Sequence, residues 1–325
     1  MSRGISSFTS ILNKWGNQKT PFLFIIDFEL AKPVAWKLSD VNPIEIKYNI
    51  GGYSNTATDH LKGDIGRVAK FPNPFEAYEK KFKFVFDQLR NGYSFLTNLT
   101  DKTKITVDKS LVELFLESKA AYKLLYKEEF LVFSPESFIQ IKNNKIYSFP
   151  MKGTIDSSIL YAKEKILGDA KELAEHITIV DLIRNDLSQV ASHVVVKRFR
   201  YVEEVKTQEK NLLQVSSEIV GELKADYASH IGDLIVSLLP AGSVSGAPKA
   251  KTLEIIRAAE IEKRGYYTGV FGYFDGVNLD SGVMIRYIEK CGDQLFYRSG
   301  GGITTQSNAE SEYQELIDKI YVPID

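Results

Sequence analysis

Residues 122–149 read YKLLYKEEFLVFSPESFIQIKNNKIYSF. Short apolar runs alternate here with the turn dipeptides Lys127-Glu128 and Asn143-Asn144, the pattern of a meander of antiparallel strands. Upstream, residues 22–28 and 45–51 also read as strands, and residues 75–90 have the apolar spacing of a helix. Downstream, the spacing predicts a long helix over 168–190, strands over 193–205 and 212–223, and helices over 228–239 and 247–263. Strands return at 267–274, 279–290 and 294–299, and a last helix closes the chain. Hairpin-connected strands with helices grouped between them predict an α+β fold, with antiparallel sheets packed against and flanked by helices. Strand–helix alternation is too sparse for a doubly wound sheet, and no Gly-x-Gly-x-x-Gly opens a helix. Without a Pro/Ser/Gly-rich spacer or a repeat, residues 1–325 are expected to form a single domain.

The chain has 325 residues, of which 44% are hydrophobic and 26% charged, enough apolar content for a large core. With 41 basic and 42 acidic residues there is no basic excess, so nucleic acid is not an expected partner. The one cysteine, Cys291, excludes an internal disulfide framework and a thiolate zinc cluster and suits a reducing cytoplasm. His60, His176, His193 and His230 lack metal-ligand spacing, so any metal should be hard and oxygen-bound, Mg²⁺ first. Residues 1–18 lack a continuous apolar run and residues 21–28 are too short to span a bilayer, so a soluble, cytoplasmic protein without a membrane partner is expected.

Near the end, Gly300-Gly301-Gly302 precedes the last helix. Ser307 and Glu310 have capping-box spacing, which predicts a helix start there. On that helix Glu312, Glu315 and Lys319 share a face. Alone, this face reads as solvated with a Glu315–Lys319 ion pair; a cation between the two glutamates is the alternative. On the long helix, Asp181 and Arg184 are expected to pair, whereas Glu175 has no base one turn away and is a candidate metal ligand. The 240–249 loop, with its glycines and small hydroxyl residues, either admits a ligand or is a plain inter-helix turn. Lys152 reads as a surface charge, unless a neighbouring cation and desolvation depress its pKa and make it a nucleophile. Arg286, read as inward-facing on a central strand, requires an anion, most naturally a carboxylate.

Taken together these segments resemble the chorismate-utilising enzymes, and among them the aminodeoxychorismate synthase component I (p-aminobenzoate synthase) branch. The resemblance covers residues 130–321, with a shortened part before it over 1–129. Ser134-Pro135-Glu136-Ser137-Phe138 matches the family's Ser-Pro-Glu-x-Phe. Residues 180–187, VDLIRNDL, match its long-helix signature, and 242–249 its Gly-Ser-x-Thr-Gly-Ala-Pro-Lys loop, with Ser245 in place of threonine. Gly300 to Ile303 and the Glu312–Glu315 helix match its closing segment.

The resemblance implies Mg²⁺ held by Glu175, Glu312 and Glu315 against the ring carboxylate of chorismate. Lys319 and the Gly300, Gly301 and Gly302 backbone would hold that same carboxylate. Tyr267 and Arg286 would take the enolpyruvyl carboxylate. Lys152, Glu136 and Ser245 are the candidate catalytic residues. Lysine at position 152, where anthranilate synthases typically carry alanine, points to amination of chorismate to 4-amino-4-deoxychorismate, on the route to p-aminobenzoate and folate. Lysine attacks C2 as the C4 hydroxyl leaves, and ammonia then enters at C4; a separate lyase acts downstream. Anthranilate or isochorismate chemistry, or a non-catalytic chorismate-binding subunit, are the rival readings. Gln214 stands where the family has a histidine, and glutamine cannot act as a general base. Cys291 reads as part of a hairpin turn and is expected to be inert, so ammonia is expected from a separate glutamine amidotransferase subunit.

Overall fold

The computed structural model describes residues 4–56, 68–206 and 211–323; His60 lies outside them. The first part comprises α1 (Ile5–Asn17), β1 (Phe22–Ile26), β2 (Val34–Lys37), β3 (Ile46–Ile50), β4 (Tyr53–Ser54), β5 (Ala69–Phe71), α2 (Phe75–Arg90), β6 (Leu96–Thr106) and α3 (Leu111–Glu117). Then come β7 (Tyr122–Tyr126), β8 (Phe130–Ser134), β9 (Ser137–Lys142), β10 (Lys145–Ser148), β11 (Met151–Asp156), α4 (Ala162–Gly168), α5 (Ala170–Leu187), β12 (Ser192–Lys206) and β13 (Asn211–Glu222). The remainder is α6 (Ile231–Ser237), β14 (Gly246–Ala247), α7 (Lys249–Ala259), β15 (Val270–Phe274), β16 (Leu279–Val283), β17 (Tyr287–Cys291), β18 (Gln294–Ile303) and α8 (Ala309–Asp318).

Two sheets organise these elements, and the pairings described are antiparallel, as the sequence led us to expect. The first runs β11-β13-β10-β9-β16-β15-β1-β2, with β12 on β13. The second runs β14-β6-β18-β17-β8-β7-β3-β4, with β5 on β6. Strand β1 shows why its sequence, FLFII, is apolar throughout. Phe22, Phe24 and Ile26 enter a core shared with Phe8 and Leu12 of α1 and Ile231 of α6. Leu23 and Ile25 point the other way, against Tyr48, Tyr122 and Phe130 of the second sheet. A strand covered on both faces needs apolar residues on both.

The turns read from the sequence are present. Lys127, Glu128, Asn143 and Asn144 all have left-handed φ, at 49°, 53°, 54° and 57°, which suits two-residue hairpin turns. The meander of 122–149, however, divides between the sheets. Strands β7 and β8 belong to the second, whereas β9 and β10 belong to the first, and the chain crosses over at Pro135-Glu136. The expected 279–290 strand also breaks, into β16 in the first sheet and β17 in the second. The two crossings lie side by side. Phe133 N–H donates to the Arg286 carbonyl at 3.1 Å, and Val283 N–H to the Glu136 carbonyl at 3.1 Å. Arg286 therefore sits at a kink with φ of 52°, not within a central strand as expected from its sequence.

The last helix begins one residue later than the capping-box reading. Asn308 is its N-cap and accepts from Ser311 N–H, while the Ser307 hydroxyl accepts from Thr304 N–H at 3.1 Å. No described helix is long and apolar enough to cross a membrane.

A half-buried acid on β16 is expected to give the fold a pH dependence. Asp280 accepts from Tyr122 Oη at 2.9 Å and Gln140 Nε2 at 3.2 Å, and burial lifts its carboxyl from 3.8 to about 6. The folded state thus binds the proton more tightly, and stability falls as pH rises from about 4 to about 6. At about 1.4 kcal/mol per pH unit, this window carries roughly 3 kcal/mol. Asp280→Asn should flatten it in urea unfolding; an unchanged pH dependence would show that Asp280 titrates normally.

Candidate active site

The two crossings and the edge of the first sheet bring most of the sequence-predicted residues together. Lys152 lies on β11, whose register against β13 shifts between Met151 and Thr154. Gly153, inside that irregularity, has φ of +90°, a conformation that favours glycine. From there Lys152 Nζ reaches Glu175 Oε2 on α5 at 2.6 Å. Glu172, one helical turn earlier, also faces β11: its Oε2 lies 3.3 Å from where a Cβ on Gly153 would stand.

With Glu175 rather than a cation as its neighbour, Lys152 keeps its charge. Burial does oppose the ammonium, but Glu175, then Glu172 and Glu315, outweigh it and hold the amine above the ordinary lysine range. Glu172 is lifted by burial, with Lys152 opposing.

Glu136 projects from the first crossing and accepts a hydrogen bond from the Ser243 hydroxyl. Burial raises its carboxyl in spite of Ser243 and the charges of Arg286, Lys152 and Lys319. Lys319, at the C-terminal end of α8, contacts Glu315 Oε1 at 2.6 Å and donates to the Gly300 carbonyl at 2.9 Å. Burial lowers its pKa, Glu315 opposes, and Lys152 and Arg286 add to the lowering. Arg286, Lys152, Lys319 and Glu136 thus feel one another's charge across a single site.

The glycine triplet is strand, not loop, and is needed for space. Gly300, Gly301 and Gly302 pair with Thr100, Leu99 and Asn98 of β6, while β17 stops pairing at Arg298. Their other edge therefore lies beyond β17. A Cβ on Gly300 would stand 2.5 Å from the Leu99 carbonyl oxygen. One on Gly301 would stand 3.3 Å from Glu312 Oε2, 3.7 Å from Lys319 Nζ and 3.8 Å from Glu315 Oε1. Gly301 thus faces the acidic side of α8.

Tyr267 is 3% exposed, and burial raises its hydroxyl to about 12; among its neighbours are the Arg264, Arg298 and Arg286 charges. Arg286 lies over the Tyr321 ring at 4.9 Å, and its Nε is buried without a hydrogen-bond partner. An orphaned buried guanidinium atom is what an anion-binding arginine presents.

Ser245 is tied to β6 through its carbonyl, which accepts from Asn98 N–H at 2.8 Å. Its hydroxyl, fully buried, donates to the Ala241 carbonyl at 2.9 Å within its own loop. The loop's contact with the site is Ser243, which sequence reasoning missed although it flagged the loop's small hydroxyl residues. Glu172 was missed too; its signal was the one-turn spacing from Glu175. Asp181 and Arg184 pair at 2.7 Å as expected. The buried Asp186 joins Lys249 of α7 at 2.7 Å, tying the long helix to the loop.

The carboxylate-only donor set of Glu175, Glu312 and Glu315 suits a hard cation. Glu175 and Glu312 are 4% and 5% exposed, so their charge needs compensation. Among the described residues, however, no three such side chains are gathered closely enough to hold a metal ion. Lys152 contacts Glu175, and Lys319 contacts Glu315.

Comparison with known proteins agrees with the resemblance read from the sequence. The profile of the chorismate binding enzyme family matches residues 54–325. The chain is 46% identical to the "Uncharacterized PabA-like protein" of Haemophilus influenzae, over 98% of this chain and 97% of that one. Aminodeoxychorismate synthase component 1 of Escherichia coli is 32% identical over 75% of this chain, which matches 56% of that relative's length. In structure, the anthranilate synthase component I of Streptococcus pneumoniae aligns with a TM-score of 0.66 at 27% identity, covering 79% of this chain and 59% of that one. The menaquinone-specific isochorismate synthase of Escherichia coli shares the fold, with a TM-score of 0.72 at 16% identity over 97% of this chain and 80% of that one. With the matched profile spanning most of its length and the site residues lying within it, the chain belongs to the chorismate-binding enzyme family.

Proposed function

We propose that this protein aminates chorismate with ammonia to 4-amino-4-deoxychorismate, through a covalent adduct on Lys152. The observation that carries this reading is a half-buried lysine facing Glu175 in a site that also holds Glu136, Arg286 and Lys319. Lys152 Nζ forms a bond to ring C2, the ring double bonds shift, and the C4–O bond breaks. The leaving oxygen takes a proton, and Glu136 is suited to supply it because burial favours its protonated form. Ammonia then bonds to C4, the double bonds return, and the Nζ–C2 bond breaks. The sum is chorismate plus ammonia giving the amino product and water.

Nucleophilic attack requires the neutral amine, and Glu175, in contact with Nζ, is the group positioned to receive its proton. Arg286 and Tyr267 would bind the enolpyruvyl carboxylate, and Lys319 with the open edge of Gly300–Gly302 the ring carboxylate. Mg²⁺ would need Glu175, Glu312 and Glu315 to draw closer together than they stand here, and would then supply positive charge for the ring carboxylate. Ammonia would come from a separate glutamine amidotransferase, because Cys291 is exposed at the end of β17, remote in sequence from any helix start.

The test is product identification with chorismate, Mg²⁺ and ammonium. The amino product is expected; anthranilate or isochorismate would overturn the reading. Binding without turnover, with a glutaminase supplied, would identify a non-catalytic subunit. Glu315→Gln should raise the Mg²⁺ concentration needed for half-maximal activity by about 10-fold or more. A titration matching wild type would remove Glu315 from the ligand set.

A further inference from the structure

Ser299 is 4% exposed, and its hydroxyl has no hydrogen-bond partner. Buried polar groups are rarely left so. Tyr287 and Arg298 form the last pair of the β17–β18 ladder, and Arg286 and Ser299 are the residues next to that pair on their two segments. Alternate side chains of a strand share a face, which puts Ser299 between Tyr297 and Gly301. Tyr297 senses the Arg286 charge, and Gly301 faces Lys319 Nζ. The residues on either side of Ser299 on this face thus border Arg286 and Lys319, and Arg286 Nε is likewise unpartnered. Two unused donors near positive charges call for an acceptor with negative charge and two oxygens.

We propose that Ser299 Oγ and Arg286 Nε form a two-donor clasp for a carboxylate, making Ser299 a substrate-binding residue. The inference rests on chorismate being the substrate, and assigns the clasp to its enolpyruvyl carboxylate. A hydroxyl donating to a carboxylate forms a charge-assisted bond, stronger than a neutral one.

Removing an unpartnered hydroxyl has the opposite sign in the free protein, where nothing is lost. Ser299→Ala should leave the unliganded melting temperature unchanged or higher, and raise the chorismate Kd by about tenfold. Ser299→Cys, a weaker donor of similar shape, should fall between. Calorimetric titration with chorismate, without ammonium, reads both. A Kd within twofold of wild type in Ser299→Ala overturns the clasp, as does a lowered unliganded melting temperature with matching losses in both variants. If wild type binds chorismate and the Ser299 dependence holds but no amino product forms, the amination reading fails and the clasp stands. If wild type does not bind chorismate, both fail.

Discussion

Lys152→Ala is expected to lower the rate of 4-amino-4-deoxychorismate formation by about 10⁴-fold or more, as removal of a covalent nucleophile does. Chorismate binding should change far less, because Arg286, Lys319 and the glycine strand remain. The substitution takes from Glu175 the contact at 2.6 Å, in a carboxylate that is 4% exposed. Some loss of stability should accompany it, and Lys152→Met, which keeps the apolar stem, separates the two effects. Both variants should be equally inactive while differing in melting temperature. Turnover within tenfold of wild type in either would remove the nucleophile role.

Arg264→Ala is expected to produce the largest stability loss. Arg264 is 2% exposed and makes two contacts with Glu260, Nε to Oε2 at 2.7 Å and Nη2 to Oε1 at 2.6 Å. It also donates to the Val244 carbonyl at 2.8 Å and to the Asn98 carbonyl at 2.8 Å. Glu260 in turn accepts from the Thr100 N–H and hydroxyl at 3.0 and 2.9 Å. One guanidinium thereby joins the end of α7, the Ser243-bearing loop and the strand beside the glycine triplet. Removing one partner of a buried pair typically costs about 3–5 kcal/mol, since the other charge stays buried. Urea unfolding should register that loss, and Arg264→Lys should recover little of it because an ammonium lacks the planar fork. Replacing both partners with apolar residues should recover more. A loss below about 1 kcal/mol for Arg264→Ala would mean that the network adds little to stability.

The sequence made the strands and their turns legible because the signals are local. Lys127-Glu128 and Asn143-Asn144 turn the chain regardless of context, and α2 follows its apolar spacing over Phe75–Arg90. It did not reveal that the chain changes sheet at Pro135-Glu136 and again before Arg286. Periodicity reports which face is apolar but not which partner strand comes next, so one crossing is hidden within the 122–149 meander and the other within the 279–290 strand. Those crossings bring Glu136 and Arg286 together, so the family motifs named both residues while their adjacency stayed hidden.

Strand β6 was missed for a different reason. Thr97, Thr100, Asp101 and Thr103 are buried in it, and such polar residues read as surface until Glu260 and Lys81 are seen to engage Thr100 and Asp101. Helix α1 has an apolar stripe of its own, Ile5, Phe8, Leu12 and Trp15, which packs on the core, a local signal that sequence reasoning missed. The charge state of Lys152 depends on its distance from Glu175, which the irregularity at Gly153 sets and no local pattern encodes.

The most direct measurement is the intact mass of protein quenched during turnover with chorismate, Mg²⁺ and limiting ammonium, followed by peptide mapping. The expected result is a species heavier by chorismate less one water, mapped to Lys152 and absent from Lys152→Met. Amino product formed at the full rate, with no such species in protein trapped before ammonium is added, would contradict the covalent route through Lys152.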